Sequence, residues 1–146
     1  MQPDDIILNK ACIIERCIRR VREEYAADPD LLNYTHLDAL TLNAERACQA
    51  CTDMAMHLVA QGHLGIPQSS ADAFTLLEKA GILTPELKQA MQSMTGFRNV
   101  AVHVYQELDT DILRWVAEKG WMDWVRCCDA FGANIQHDTI NTQELQ

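Results

Sequence analysis

Glycine and proline are scarce, at six and four in 146 residues. Turn-rich β folds need both at frequent intervals, so the shortage favours long helices. Long apolar runs are missing as well: no stretch approaches the roughly 20 residues that a membrane-spanning helix requires. Basic residues are outnumbered, 12 against 21 acidic, for a formal net charge of −9. A protein that coats nucleic acid carries a broad basic stripe, which this balance excludes. It leaves room for a nuclease with a small, locally basic site. The N-terminus, MQPDDIILNK, lacks the charged-then-apolar pattern of a secretory leader. Together these absences lead us to expect a cytoplasmic protein with no membrane segment.

What is present is the composition of a compact globular chain, 48% hydrophobic. The length suits one domain. We place it at 1–135, followed by a polar tail at 136–146 that reads as frayed. Six cysteines lie at 12, 17, 48, 51, 127 and 128. Without a secretory signal they do not read as a disulfide framework. Cys48-x-x-Cys51 has metal-ligand or redox spacing, but it has no second pair and no preceding strand. We read the cysteines as small hydrophobes in helix cores and expect no metal and no cofactor.

Apolar spacing marks the elements. Ile6, Ile7, Ala11, Ile14, Cys17, Ile18, Val21 and Tyr25 set a first helix over 3–25. A second runs over 35–63, with Thr35 and Asp38 as its N-cap signature and Gly62 at its end. Ser70 or Asp72 caps a short third helix that Gly81 closes. Thr84 caps a fourth, with Pro85 at its first position and a possible break near Gly96. Asp109 or Thr110 starts another, and WMDWVRCCDAFGANI closes the fold. The expected class is all-α, an up-and-down bundle of four to five main helices.

The stretch FRNVAVHVY, residues 97–105, fits neither a plain core helix nor a plain surface helix. Its alternation also permits a strand, but a lone strand in a helical chain has no partner. On a helix, Arg98 and Tyr105 lie within roughly 20° of each other and about 10 Å apart along the axis, while His103 sits about 140° from Arg98. Two copies of the motif facing each other across a symmetric interface would line one cleft. Histidine is the usual acid or base near neutral pH, and arginine holds phosphate in a planar fork. The pair suits RNA cleavage through the ribose 2′-hydroxyl. It equally suits a core histidine beside a surface ion pair.

Arg98-Asn99-x-x-x-His103-x-Tyr105 resembles the Arg-x4-6-His motif of HEPN domains, and specifically their HepT branch. The segments LNAERACQACTDMAMHL, LGIPQSSADAFTLL and GFRNVAVHVYQELDTDIL resemble HepT sequence in the same order, over most of residues 5–130. The resemblance implies a homodimeric helical bundle and a metal-independent endoribonuclease acting on mRNA or tRNA. It implies Arg98 and His103 as the catalytic pair, with Asn99 binding phosphate. It further implies a minimal nucleotidyltransferase antitoxin, MntA-like, that transfers AMP to Tyr105. Val104 stands where many members carry an acidic residue. A phosphate placed on Tyr105 would meet Arg98 on the same stripe and occupy the RNA phosphate site.

Other polar residues carry weaker signals. Arg46, Asp53 and His57 share a stripe on the second helix. Arg46 and Asp53 either form an ion pair or line the cleft, where Arg46 would contact RNA. Asn43 and Asp38 are equally open. Trp115, Trp121 and Trp124 suit a core or interface, and Met91 and Met94 a core. The rival to an RNase toxin is a non-catalytic helical partner or substrate-binding module of a nucleotidyltransferase. The intact Arg98–His103 pair favours the enzyme.

Overall fold

A computed structural model of the chain describes residues 2–103 and 110–135, with only the helical course described for 97–103. Helix α1 spans Asp5–Ala27 and α2 spans Tyr34–Gln61. A short α3, Ser70–Lys79, leads to α4, Pro85–His103. Helix α5, Thr110–Trp115, passes through a π turn at Val116–Gly120 into α6, Trp121–Ala130. The described residues contain no strand, so the all-α expectation holds for them. Among them no helix is long and apolar enough to cross a membrane.

Helices α1 to α4 each start where a short polar side chain meets free backbone N–H groups. Asp4 Oδ1 accepts from Ile7 N at 3.0 Å and opens α1. Thr84 Oγ1 accepts from Leu87 N at 3.1 Å, with Pro85 at the first position of α4 as its fixed φ favours. Two caps differ from the sequence reading. The cap of α2 lies two residues upstream of Thr35, because Asn33 Oδ1 accepts from Thr35 N at 2.9 Å. Asn33 is itself fixed by its backbone N–H to Asp28 Oδ2, 2.8 Å away. Neither Ser70 nor Asp72 caps α3. Ser69 Oγ accepts from Asp72 N at 3.1 Å, and Asp72 reciprocates by accepting from Gln68 N at 3.0 Å.

Apolar faces close around α2, which packs against α1, α3, α4 and α6. Ala44, Ala47, Ala50, Cys51 and Ala55 are buried there, and their small size lets the neighbours approach. Ile7, Ile14, Ile18 and Val21 fill the α1 side; Phe74, Leu77, Met91 and Trp124 fill the rest. Met91 and Met94 are core, as their spacing implied. Leu31, in the short α1–α2 loop, takes a left-handed φ of 56° that its burial offsets.

One glycine behaves differently from the sequence reading, and a second was not singled out by it. Gly96 does not break its helix: α4 runs straight through it. Gly120 does not separate two helices either. The chain stays helical across it by widening to a π turn, and the Trp115 ring lies against it. A Cβ on Gly120 would come within 2.6 Å of Trp115 Cζ3. That contact forces a choice between ring and methyl. We expect Gly120→Ala to cost about 1–3 kcal/mol, the usual range for overpacking. In a Trp115→Ala background the same change should stabilise by up to about 1 kcal/mol, since alanine is the better helix former. A double-mutant cycle by urea denaturation checks this, and additive effects would remove the contact from the account.

Candidate active site

The motif lies near the end of α4. Residues 98–103 are helical, which rules out the strand alternative for them. The side chains of Arg98, Asn99 and His103 lie outside the described residues, as do Val104, Tyr105 and Asp109 entirely. What is described is how the flanking chain is held.

Before the motif, α4 is pinned to α3. Gln92 Nε2 donates to Ala71 O and to Thr75 Oγ1, both at 2.8 Å. Met91 and Met94 bury the opposite side. After the motif, α5 is pinned to the C-terminal end of α1. Arg114 donates to Pro29 O at 2.8 Å and to the Tyr25 hydroxyl at 3.2 Å. The Tyr25 hydroxyl in turn donates to Glu118. Burial, then the Glu118 carboxylate, raises the Tyr25 pKa, so the phenol keeps its proton. Arg22 stacks over the Trp121 ring with its guanidinium carbon 4.4 Å from the centroid. Both ends of the motif segment therefore leave anchored helices. Sequence reasoning read Tyr25 only as a core residue and missed this network. Its members are 85 to 93 residues apart, and spacing rules see only neighbours.

The polar stripe of α2 does not assemble as expected. Asp53 pairs with Lys10 of α1 at 3.2 Å and accepts from Gln49 at 2.8 Å. His57 Nε2 lies 2.6 Å from Asp4 Oδ2, and Gln61 donates to the same oxygen at 3.0 Å. The Ile7 backbone N–H, then His57, hold the Asp4 carboxyl below the ordinary aspartate value. So Asp53 and His57 tie α1 to α2, the Arg46–Asp53 pair is not formed, and Arg46 is left exposed. Asn43 is buried and donates to Ala39 O at 2.8 Å within its own helix. Asp38 is exposed. Of the tryptophans, Trp121 and Trp124 are buried and Trp115 is 45% exposed.

Five of the six cysteines are buried and all six are free thiols. Cys51 of α2 shares a hydrogen bond with Cys127 of α6, and Cys48 and Cys128 lie close by. Burial pushes the Cys51 and Cys128 thiols well above their usual range and also raises Cys17. Thiols held protonated in this way are poor nucleophiles and poor ligands. The described residues contain no group of three or more His, Cys, Asp or Glu able to hold a metal ion.

Comparison with known proteins converges on one family. The family described as Ribonuclease HepT-like matches residues 13–128. A protein named mRNA nuclease HepT, from Shewanella oneidensis, is 41% identical over 131 residues, covering 89% of this chain and 98% of that one. A tRNA nuclease HepT from Aphanizomenon flos-aquae is 36% identical over 61 residues, 42% of each chain. Among solved structures, a tri-AMPylated Shewanella oneidensis HEPN toxin in complex with MNT antitoxin superposes with a TM-score of 0.83 at 41% identity. That match covers 88% of this chain and 98% of that one. A toxin–antitoxin complex with AMP-PNP matches with the same TM-score at 40% identity and the same coverage.

Exposure decides which thiols react. With a disulfide reagent at pH 8, we expect one rapid equivalent per native chain, from exposed Cys12. The buried five should appear only on denaturation. Rapid loss of Cys48 or Cys51 would contradict their structural role.

Proposed function

The chain belongs to the HepT-like ribonuclease family, and we propose that it is a metal-independent endoribonuclease toxin silenced by AMP transfer. The observation that carries this is Arg98-Asn99-x-x-x-His103 on one unbroken helix inside the family-matched region. Fixed helical spacing makes arginine and histidine a rigid unit, and the anchored flanks hold that unit in place.

The chemistry follows from the two side chains. His103 takes the proton from a ribose 2′-hydroxyl as the 2′-oxygen attacks the adjacent phosphorus. The bond from phosphorus to the 5′-oxygen breaks, and that oxygen leaves with a proton as a 5′-hydroxyl. The other product carries a 2′,3′-cyclic phosphate. Arg98 holds the phosphate and the charge that develops on it, and Asn99 donates to a further oxygen. Helix geometry turns His103 about 140° away from Arg98, so one copy of the helix does not aim both groups at one atom. We therefore place the site at the cleft of a homodimer, where two motifs meet. The substrate is mRNA or tRNA, and the site needs neither metal nor cofactor. The protein works in the cytoplasm as one helical domain over 1–135.

Control comes from a partner of MntA type, a minimal nucleotidyltransferase. The Tyr105 hydroxyl attacks the α-phosphorus of ATP, pyrophosphate leaves, and an AMP ester remains on the phenol oxygen. Its phosphate then competes for the arginine that RNA needs.

Arg98→Ala and His103→Ala should each lower RNA cleavage on the order of a hundredfold or more with the fold intact, as loss of a phosphate clamp or a general base does. Cleavage assays with circular dichroism check both. Active, folded variants would dismiss the pair. Tyr105→Phe loses only a hydroxyl, so it should keep cleaving RNA while gaining no AMP mass from the nucleotidyltransferase, ATP and magnesium. AMP mapped to another residue, with silencing, would dismiss Tyr105.

A further inference from the structure

Trp115 stands apart from the other two tryptophans. Trp124 is fully buried and Trp121 lies buried beneath the Arg22 guanidinium, whereas Trp115 is 45% exposed. Its ring is nevertheless seated. A Cβ on Gly120 would lie 2.6 Å from Cζ3 of the indole, and 2.9 and 3.0 Å from Cε3 and Cη2, the two atoms bonded to Cζ3. A point in the ring plane, beyond its edge, would be much nearer to Cζ3 than to either neighbour. The near-equal distances put the glycine over the flat of the ring. One face of the indole therefore covers Gly120, which is buried, and the opposite face carries the exposure.

The backbone is shaped for this contact. A π turn closes across residues five apart, which is the separation of Trp115 from Gly120, and Val116–Gly120 is such a turn. Single π turns inside α-helices are frequent at functional sites. The helix that carries the ring is fixed by Arg114, which donates to Pro29 O at 2.8 Å and to the Tyr25 hydroxyl at 3.2 Å. The result is a rigid aromatic plane with one side in water. Its exposed neighbours along the chain are mixed, with Asp111, Glu118 and Lys119 beside Ile112 and Met122. A protein-docking face would be contiguous and apolar, whereas a single plane among charges suits a flat, partly polar ring. The chain from His103 to Thr110, where α5 begins, spans at most about 25 Å, so one RNA strand can reach both this plane and the motif helix.

We propose that the exposed face of Trp115 is a stacking platform for one nucleobase of single-stranded RNA, a binding site separate from the Arg98–His103 motif. This rests on the ribonuclease reading. Unpaired RNA is held by splaying bases onto aromatic side chains. Stacking needs no charge, so it serves a chain of net charge −9 whose own field opposes the phosphate backbone. Every base has a π face, so the platform holds the strand without selecting its sequence.

The test is binding of the full-length protein to a 2′-O-methyl oligonucleotide, which cannot be cut, and to the same backbone without bases. Trp115→Ala should weaken binding to the first about tenfold, the usual share of one stacked base. The slope of log affinity against log salt should stay that of the wild type, because no phosphate contact is lost. Trp115→Phe should keep most of the affinity, and all three proteins should bind the abasic strand alike. The oligonucleotide should quench tryptophan fluorescence in the wild type but not in Trp115→Phe, which keeps both buried indoles. That comparison decides the matter even if Trp115→Ala fails to fold. Unchanged affinity in folded Trp115→Ala, an equal loss on the abasic strand, or no quenching in the wild type would overturn the platform. So would a loss of binding that sedimentation traces to a lost dimer, which would make Trp115 part of a protein interface. If the wild type binds with quenching but leaves 2′-hydroxyl RNA uncut, the platform stands and the ribonuclease reading fails.

Discussion

Close packing around α2 is the constraint on which the molecule depends. Four helices contact this one, which is possible only because Ala44, Ala47, Ala50, Cys51 and Ala55 keep its surface narrow. The thiols belong to the same design. Cys51 against Cys127 fills the α2–α6 contact with small groups, and burial keeps the Cys51 thiol protonated. A larger residue at any of these places would push a neighbour outward. Because α4 is one of those neighbours, the direction of the motif helix would change with it.

The helices themselves were readable because apolar spacing records burial directly: of the α1 residues that marked it, Ile7, Ala11, Ile14, Cys17, Ile18 and Val21 are buried, Tyr25 is partly so, and Ile6 is exposed. Helix ends were less readable. Asn33 and Ser69 win over Thr35 and Ser70 because a cap is chosen by loop geometry, here the Asp28–Asn33 turn and the Gln68–Asp72 reciprocation. Gly120 could not be read from sequence for a related reason. Glycine signals either a break or a close approach, and only the Trp115 ring shows which. The Arg46–Asp53 stripe was sound as helical geometry, but Lys10 stands nearer to Asp53 across the helix pair than sequence spacing reveals. The motif was legible as a pattern and α4 carries it as a helix to His103, while its side chains lie beyond what the structure describes.

Charge distribution connects these features to function. Several basic side chains of this acidic protein are engaged in structure: Lys10 and His57 join α1 to α2, Arg114 fastens α5, and Arg22 covers Trp121. With acidic residues in excess, RNA affinity must come from local arrangement rather than net charge. On the proposed control by AMP transfer, the same scarcity lets an added phosphate act strongly. Where few arginines serve the substrate, occupying one of them removes a large share of its hold.

The central claim is that cleavage runs through the ribose 2′-hydroxyl with no metal. The most direct measurement is the chemistry of the ends produced from a defined RNA in excess EDTA. The account predicts undiminished cleavage, a 2′,3′-cyclic phosphate or its hydrolysis product on one fragment, and a 5′-hydroxyl on the other. Loss of activity in EDTA, or a 3′-hydroxyl with a 5′-phosphate, would contradict it.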